Sequence, residues 1–165
     1  MKASLIIIGN EILSGRTQDK NLSYLANWLN EIGIQLTEVR VIRDEEDVIV
    51  ETVNHLRKTY DYVFTTGGIG PTHDDITSES IAKAFSVDLE INQGALSILK
   101  EYYKDGELTE ARMKMTKMPV GSELIENPVS RAPGFKMDNV FVLAGIPGIM
   151  QGMLEGARRF LKGGD

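Results

Sequence analysis

Three glycines followed by two adjacent carboxylates, in Thr65-Thr66-Gly67-Gly68-Ile69-Gly70-Pro71-Thr72-His73-Asp74-Asp75-Ile76-Thr77, concentrate the chemistry of this chain in one loop. Glycine has no Cβ, so the backbone can turn left-handed there and a ligand can come close to it. Exposed N–H groups at such a turn, beside a helix N-terminus, make an anion site. Asp74 and Asp75 would repel a bare phosphate. A divalent cation such as Mg²⁺ held by Asp74 and Asp75, or a proton on one of them, removes that conflict. The loop therefore points to a phosphate-bearing ligand with a metal. The same residues also have a plainer use, with Thr77 or Asp75 as the N-cap of the helix that follows. The loop is neither a Walker A sequence, which ends in Gly-Lys-Ser/Thr, nor a GxGxxG turn.

The elements around the loop set its position. The apolar run Tyr62-Val63-Phe64 precedes it, in a strand over Tyr62 to Thr66, and Ser78 to Phe85 follows as a helix. Ala3 to Ile8 is an apolar run, broken only by Ser4, and suits a strand buried on both faces. Asn21 opens a helix whose Leu22, Leu25, Leu29 and Ile32 form one stripe, stopped by Gly33. Trp28 lies off that stripe and reads as a packing or interface residue. Ile34 to Ile42 is a second strand, and Asp44 is placed to cap the next helix, with Asp47 in a loose capping-box position. The spacing predicts helices over Ala95–Tyr103 and Glu110–Lys117, separated by Lys104-Asp105-Gly106, with Met113, Met115 and Met118 as core or subunit contact. Ser122 to Glu126 reads as a short strand and Asn127 to Gly134 as a loop. Phe135–Leu143 reads as a hairpin turning at Asp138-Asn139, and a last helix starts at Pro147. Strands alternating with helices predict an α/β fold: a mainly parallel, doubly wound sheet with helices on both faces, in a single domain over residues 1–165.

Composition narrows the function classes. The chain has no cysteine, which excludes thiolate metal sites and cysteine nucleophiles. With only two histidines, His55 and His73, a histidine-rich zinc site is not expected. A net charge of −6 without a basic run argues against nucleic acid as partner. Leu5-Ile6-Ile7-Ile8 is too short to span a membrane and lacks the form of a signal peptide, so a cytoplasmic enzyme or binding domain is expected.

Open parallel sheets bind ligands beyond the carboxyl ends of their strands. Five segments belong at that edge: Gly9 to Gly15, Arg43-Asp44, Gly67 to Thr77, Asn127 to Gly134 and Gly145 to Gly148. They bring glycines, carboxylates, Arg16, Arg43 and Arg131 together. These blocks resemble a known family. Gly9-Asn10-Glu11-Ile12-Leu13-Ser14-Gly15 with Asn21 is similar to a Gly-Asp-Glu-Leu/Ile-x-x-Gly…Asn pattern. Residues 67–77 are similar to a GGxGPTxDDxT signature, Asn127-Pro128 with Ala132–Phe135 to an NPxGxAPGF segment, and Gly145–Gly148 to a PGxP turn. The family is the MoaB/Mog-type molybdopterin-binding domain, in the branch that forms the N-terminal part of CinA proteins. The resemblance spans residues 3 to 162.

The resemblance implies a three-layer α/β/α fold that binds molybdopterin, or a nucleotide with a similar phosphate tail. In Mog-type members it implies adenylylation of molybdopterin with ATP and Mg²⁺. In the CinA branch it implies metal-dependent cleavage of ADP-ribose-like pyrophosphates. On this alignment Asp44 and Asp75 take the catalytic positions, with Asp74 in support. Gly9, Asn10, Glu11, Ser14, Gly67, Gly68, Gly70, Thr72, Thr77, Asn127, Gly134, Gly145 and Pro147 take ligand positions. A homo-oligomer, often a trimer, is also implied. Amidase chemistry, which goes with a second domain, is not. Asn10 stands where the pattern has Asp, Ser130 where it has Gly, and Ala144 where it has Pro. An amide at position 10 can hydrogen-bond but cannot neutralise a metal. Three readings stay open: a nucleotide pyrophosphatase, a molybdopterin adenylyltransferase, and a binding domain that has lost its chemistry.

Overall fold

Alternating side chains on the first strand, β1 (Lys2–Ile8), build two cores at once. Ala3, Leu5 and Ile7 face one way and Ile6 and Ile8 the other, all of them buried. This is the two-sided burial that a continuous apolar run demands of a central parallel strand. The computed structural model describes residues 1–104 and 106–163, so Asp105 of the expected Lys104-Asp105-Gly106 break lies outside the described residues. After β1 come α1 (Asn10–Leu13), α2 (Asn21–Glu31), β2 (Gln35–Ile42), α3 (Glu46–Thr59), β3 (Tyr62–Thr66) and α4 (Thr77–Ala84). Then follow β4 (Leu89–Ile91), α5 (Gln93–Tyr102), α6 (Glu110–Lys114), β5 (Lys117–Pro119), β6 (Glu123–Ile125), β7 (Gly134–Met137), β8 (Val140–Leu143) and α7 (Pro147–Ala157).

The main sheet runs β2-β1-β3-β8-β7-β6. β2, β1, β3 and β8 are parallel, while β7 is antiparallel to both β8 and β6. β4 and β5 form a separate antiparallel pair. Leu25 and Leu29 of α2 and Met150, Met153 and Leu154 of α7 cover one face. Ile49, Val53 and Leu56 of α3, Ile81 of α4 and Ala95 of α5 cover the other. On the first face Phe64 stacks on Phe141 with ring centroids 5.0 Å apart. The expected doubly wound, three-layer architecture is therefore present.

Some local expectations are corrected. α6 ends at Lys114, and Lys117–Pro119 is strand β5, because pairing with Leu89–Ile91 overrides a helical pattern that has no apolar stripe to bury. Met118 consequently packs in the core. Asp44 does not cap α3: the cap position is Glu45 and carries no side-chain cap bond. Neither Asp75 nor Thr77 caps α4, since its cap residue is Ile76. Leu22 is exposed, because the buried line of α2 runs Asn21, Leu25, Leu29. Trp28 packs against the α2–α7 core, and its indole N–H donates to Glu155 at 3.1 Å.

Candidate functional site

The turn after β3 is built by backbone geometry that only glycine tolerates. Gly67 has φ 100° and Gly68 φ 77°. A Cβ on Gly67 would run into the Ile8 carbonyl oxygen, and one on Gly68 into the Thr77 hydroxyl. Thr77, the first residue of α4, closes the turn: its hydroxyl donates to the Gly67 carbonyl at 2.9 Å and its N–H to the Gly68 carbonyl at 3.0 Å. The Gly67 N–H donates to the Leu143 carbonyl at 3.2 Å, tying the turn to β8. Among the described residues no hydrogen bond engages the N–H of Gly68, Ile69 or Gly70. Free amide groups at such a turn are what a phosphate would bind.

These amides border a cleft of about 560 Å³ at the carboxyl edge of the sheet. Of the candidate residues, Glu11, Gly67, Gly68, Gly70, Asp75, Asn127, Gly145 and Pro147 line it. Gly9, Asn10, Ser14, Asp44, Thr72, Asp74, Thr77 and Gly134 lie outside its wall. Gly145 packs so close that a Cβ there would lie 3.1 Å from the Gly67 Cα. Asn21, buried in the wall, donates to the Gly145 carbonyl at 2.9 Å. Asn127 spends its whole amide on its own loop: Oδ1 accepts from the N–H of Val129 and Ser130, and Nδ2 donates to Ser130 Oγ and the Ala132 carbonyl. It shapes the wall, and Ser130 is part of that clasp.

The carboxylates gather at one end. The Asp75 Oδ2 accepts from the N–H and hydroxyl of Thr72 at 3.0 and 2.9 Å, which folds residues 72–75 into a tight loop. Asp74 points to solvent beside His73, at 3.3 Å. Asn10 and Asp44 clasp each other: the Asn10 N–H donates to Asp44 Oδ2 at 3.4 Å, and the Asp44 N–H donates to Asn10 Oδ1 at 3.1 Å. Burial holds the Asp44 carboxyl above its ordinary range, the Asn10 N–H opposes that, and the negative charges of Glu11, Asp75 and Asp74 add to it. Among the described residues no three His, Cys, Asp or Glu side chains converge as a metal cluster. Arg43 is paired away with Glu45 at 2.8 Å.

Residues outside the sequence candidates also border the cleft or hold the loop beside it. The segment Thr17 to Lys20 borders the cleft and brings Lys20 to it. Lys114, from α6, donates to the carbonyls of Thr72 and Asp75, the latter at 2.7 Å. Only the return of the chain across α4 brings it there. The position of Thr17–Lys20 was legible in principle, since it connects β1 to α2 at the ligand edge.

The family model for the probable molybdopterin binding domain matches residues 4–162. The chain belongs to that family. A protein of Thermoplasma acidophilum is 39% identical over 157 residues, which cover 93% of this chain and 61% of the relative. One of Archaeoglobus fulgidus is 38% identical over 164 residues, covering 99% of this chain and 70% of the relative. The chain thus spans somewhat under two thirds of the length of the first of these relatives. A crystal structure described as the protein CinA of unknown function from Thermoplasma acidophilum superposes with a TM-score of 0.89 at 37% identity, covering 97% of this chain and 98% of that one. The tungsten cofactor synthesizing protein MoaB of Pyrococcus furiosus superposes at 0.62 with 22% identity, covering 96% and 90%, and shares the fold. Within the family the chain therefore sides with the CinA-like branch. Among the described residues no helix is long and apolar enough to cross a membrane.

Proposed function

We propose that this domain binds a nucleoside diphosphate ester of the ADP-ribose class and hydrolyses its pyrophosphate with a divalent cation. The observation that carries the reading is the juxtaposition of the free amides of residues 68–70 with Asp75 on one cleft wall. The amides hold one phosphate without a charge of their own. In this reading Asp75, held by Thr72, orients the water that attacks that phosphate, and its carboxylate accepts the water's proton as the P–O–P bridge opens. Water adds across the bridge, giving AMP and ribose 5-phosphate.

The donor set fits a hard cation rather than zinc. Mg²⁺ takes one or two carboxylates and keeps several waters, so a full protein cage is not required. Burial raises the Asp44 carboxyl first, and the negative charges of Glu11, Asp75 and Asp74 add to it; a cation at this end of the site would relieve only that second part. Asp75 and Asp74 are the residues that would hold it, and its chemistry would be to neutralise the phosphate oxygens. Such a substrate belongs in the cytoplasm, and we take the domain to work as a homo-oligomer, as a trimer by family resemblance.

The test is AMP release from ADP-ribose, followed by chromatography with Mg²⁺ and with chelator. A second reading, a binding domain without turnover, is favoured by the Asn10 amide and by the lack of a three-acid cluster among the described residues. It predicts a ligand-induced rise in melting temperature with no AMP. Stabilisation by molybdopterin and ATP in place of ADP-ribose would move the reading to adenylyl transfer.

A further inference from the structure

We infer that Lys114 is the positioning residue that sets the Asp75 loop; the inference rests on the pyrophosphatase reading for its kinetic half only. The ammonium group donates to the carbonyls of Thr72 and Asp75, the same two residues whose N–H, hydroxyl and carboxylate already clasp each other. The loop is thus held from two sides: the Thr72–Asp75 clasp closes it internally, and Lys114 grips the opposite, carbonyl side from about forty positions along the chain.

The anchor is itself fixed. Thr109 Oγ1 accepts from the Arg112 N–H at 3.2 Å and caps α6. Arg112 lies over the Tyr103 ring at 3.7 Å and donates to the Glu107 carbonyl at 2.9 Å. After the helix, the Thr116 hydroxyl donates to the Met113 carbonyl at 2.6 Å, and the Thr116 carbonyl accepts from the Asn92 N–H at 2.8 Å. A helix of five residues has little stability of its own, so these tethers fix where Lys114 points. Among the described residues Lys114 forms no ion pair. A lysine that spends its charge on two backbone carbonyls, beside a loop bearing Asp74 and Asp75, orders that loop and offsets its negative charge.

The loop also separates the glycine cleft from a second cleft of about 610 Å³, and Asp75 lines both. Lys114 and Lys117 line the second one. Lys117 makes no bond to the loop, so Lys117→Met is the control for simple loss of positive charge.

The experiment measures amide hydrogen exchange across residues 70–77 together with ADP-ribose turnover, in wild type, Lys114→Met, Lys114→Arg and Lys117→Met. The expected result for Lys114→Met is exchange at Thr72 and Asp75 at least tenfold faster, with β1 and β3 amides unchanged. Its kcat falls at least tenfold and its KM changes less than threefold. Lys114→Arg restores most of both, and Lys117→Met resembles wild type. Unchanged exchange in Lys114→Met overturns the inference. So does faster exchange with kcat intact, or an equal loss in Lys117→Met. If wild type releases no AMP, the pyrophosphatase reading fails alone, and the exchange data still decide whether Lys114 sets the loop.

Discussion

Substituting alanine for one glycine at a time should give a graded series of stabilities, because the glycines differ in what a Cβ would meet. Gly148, near the start of α7, has an ordinary φ and nothing within 4 Å of a built Cβ, so Gly148→Ala should be neutral or stabilise by up to about 1 kcal/mol. Gly15 has φ 81° with open space, so Gly15→Ala should cost only the left-handed penalty of about 1–2 kcal/mol. Gly68 adds a collision with the Thr77 hydroxyl, which must then give up its bond to the Gly67 carbonyl. That loss contributes about 0.5–1.5 kcal/mol. Gly68→Ala should therefore cost about 1.5–3.5 kcal/mol in all. Gly67 faces a backbone oxygen of β1 that no rotamer change can move, so Gly67→Ala should cost more than Gly68→Ala. At about 2–4 °C per kcal/mol for a chain of this size, thermal unfolding separates the rungs. Gly68→Ala melting with wild type, or Gly15→Ala losing as much as Gly67→Ala, would mean that these close approaches do not set the turn's stability.

Asp44→Asn should stabilise the ligand-free protein near neutral pH, measured by denaturant midpoint. Because the folded carboxyl titrates above its ordinary 3.8, the native state holds the extra proton between those two values. Stability therefore falls as pH rises through that window, and the variant should lose this slope. Leu29→Ala should cost about 2–5 kcal/mol, since Leu29 is fully buried between α2 and the sheet; a loss below about half a kcal/mol would place α2 outside the cooperative core. Sedimentation at micromolar concentration should give a homo-oligomer, with the trimer as the expected species, and a monomer would contradict that.

The apolar runs carried most of the fold. β1 and β3 were legible because burial on both faces makes their runs mainly apolar, with only the small hydroxyls of Ser4, Thr65 and Thr66 buried among them. α1 escaped because its four residues bury nothing and so leave no periodic mark. β4 and β5 are three residues each and exist through one long-range pairing, which a local window reads as the tail of a helix. The glycine turn was visible as a motif, but its mechanics were not: the Gly67–Ile8 and Gly68–Thr77 approaches belong to tertiary structure. Asp44 illustrates the same limit. Its place before α3 is that of a cap, yet the N–H it meets is that of Asn10 on another strand loop. Lys114 was silent for the same reason, since the carbonyls it grips lie far away in sequence.

In the proposed mechanism amides 68–70 bind phosphate while Asp75 supplies the chemistry, and one comparison separates the two roles. ADP-ribose binding by calorimetry and AMP release by chromatography would be measured on wild type and Asp75→Asn, with Mg²⁺ and with chelator. Wild type should release AMP only with Mg²⁺, and Asp75→Asn should release none while its metal-free binding is retained or tightened, because a repelling charge is gone. AMP release at the wild-type rate by Asp75→Asn, or no release by wild type with any divalent metal, would contradict the mechanism.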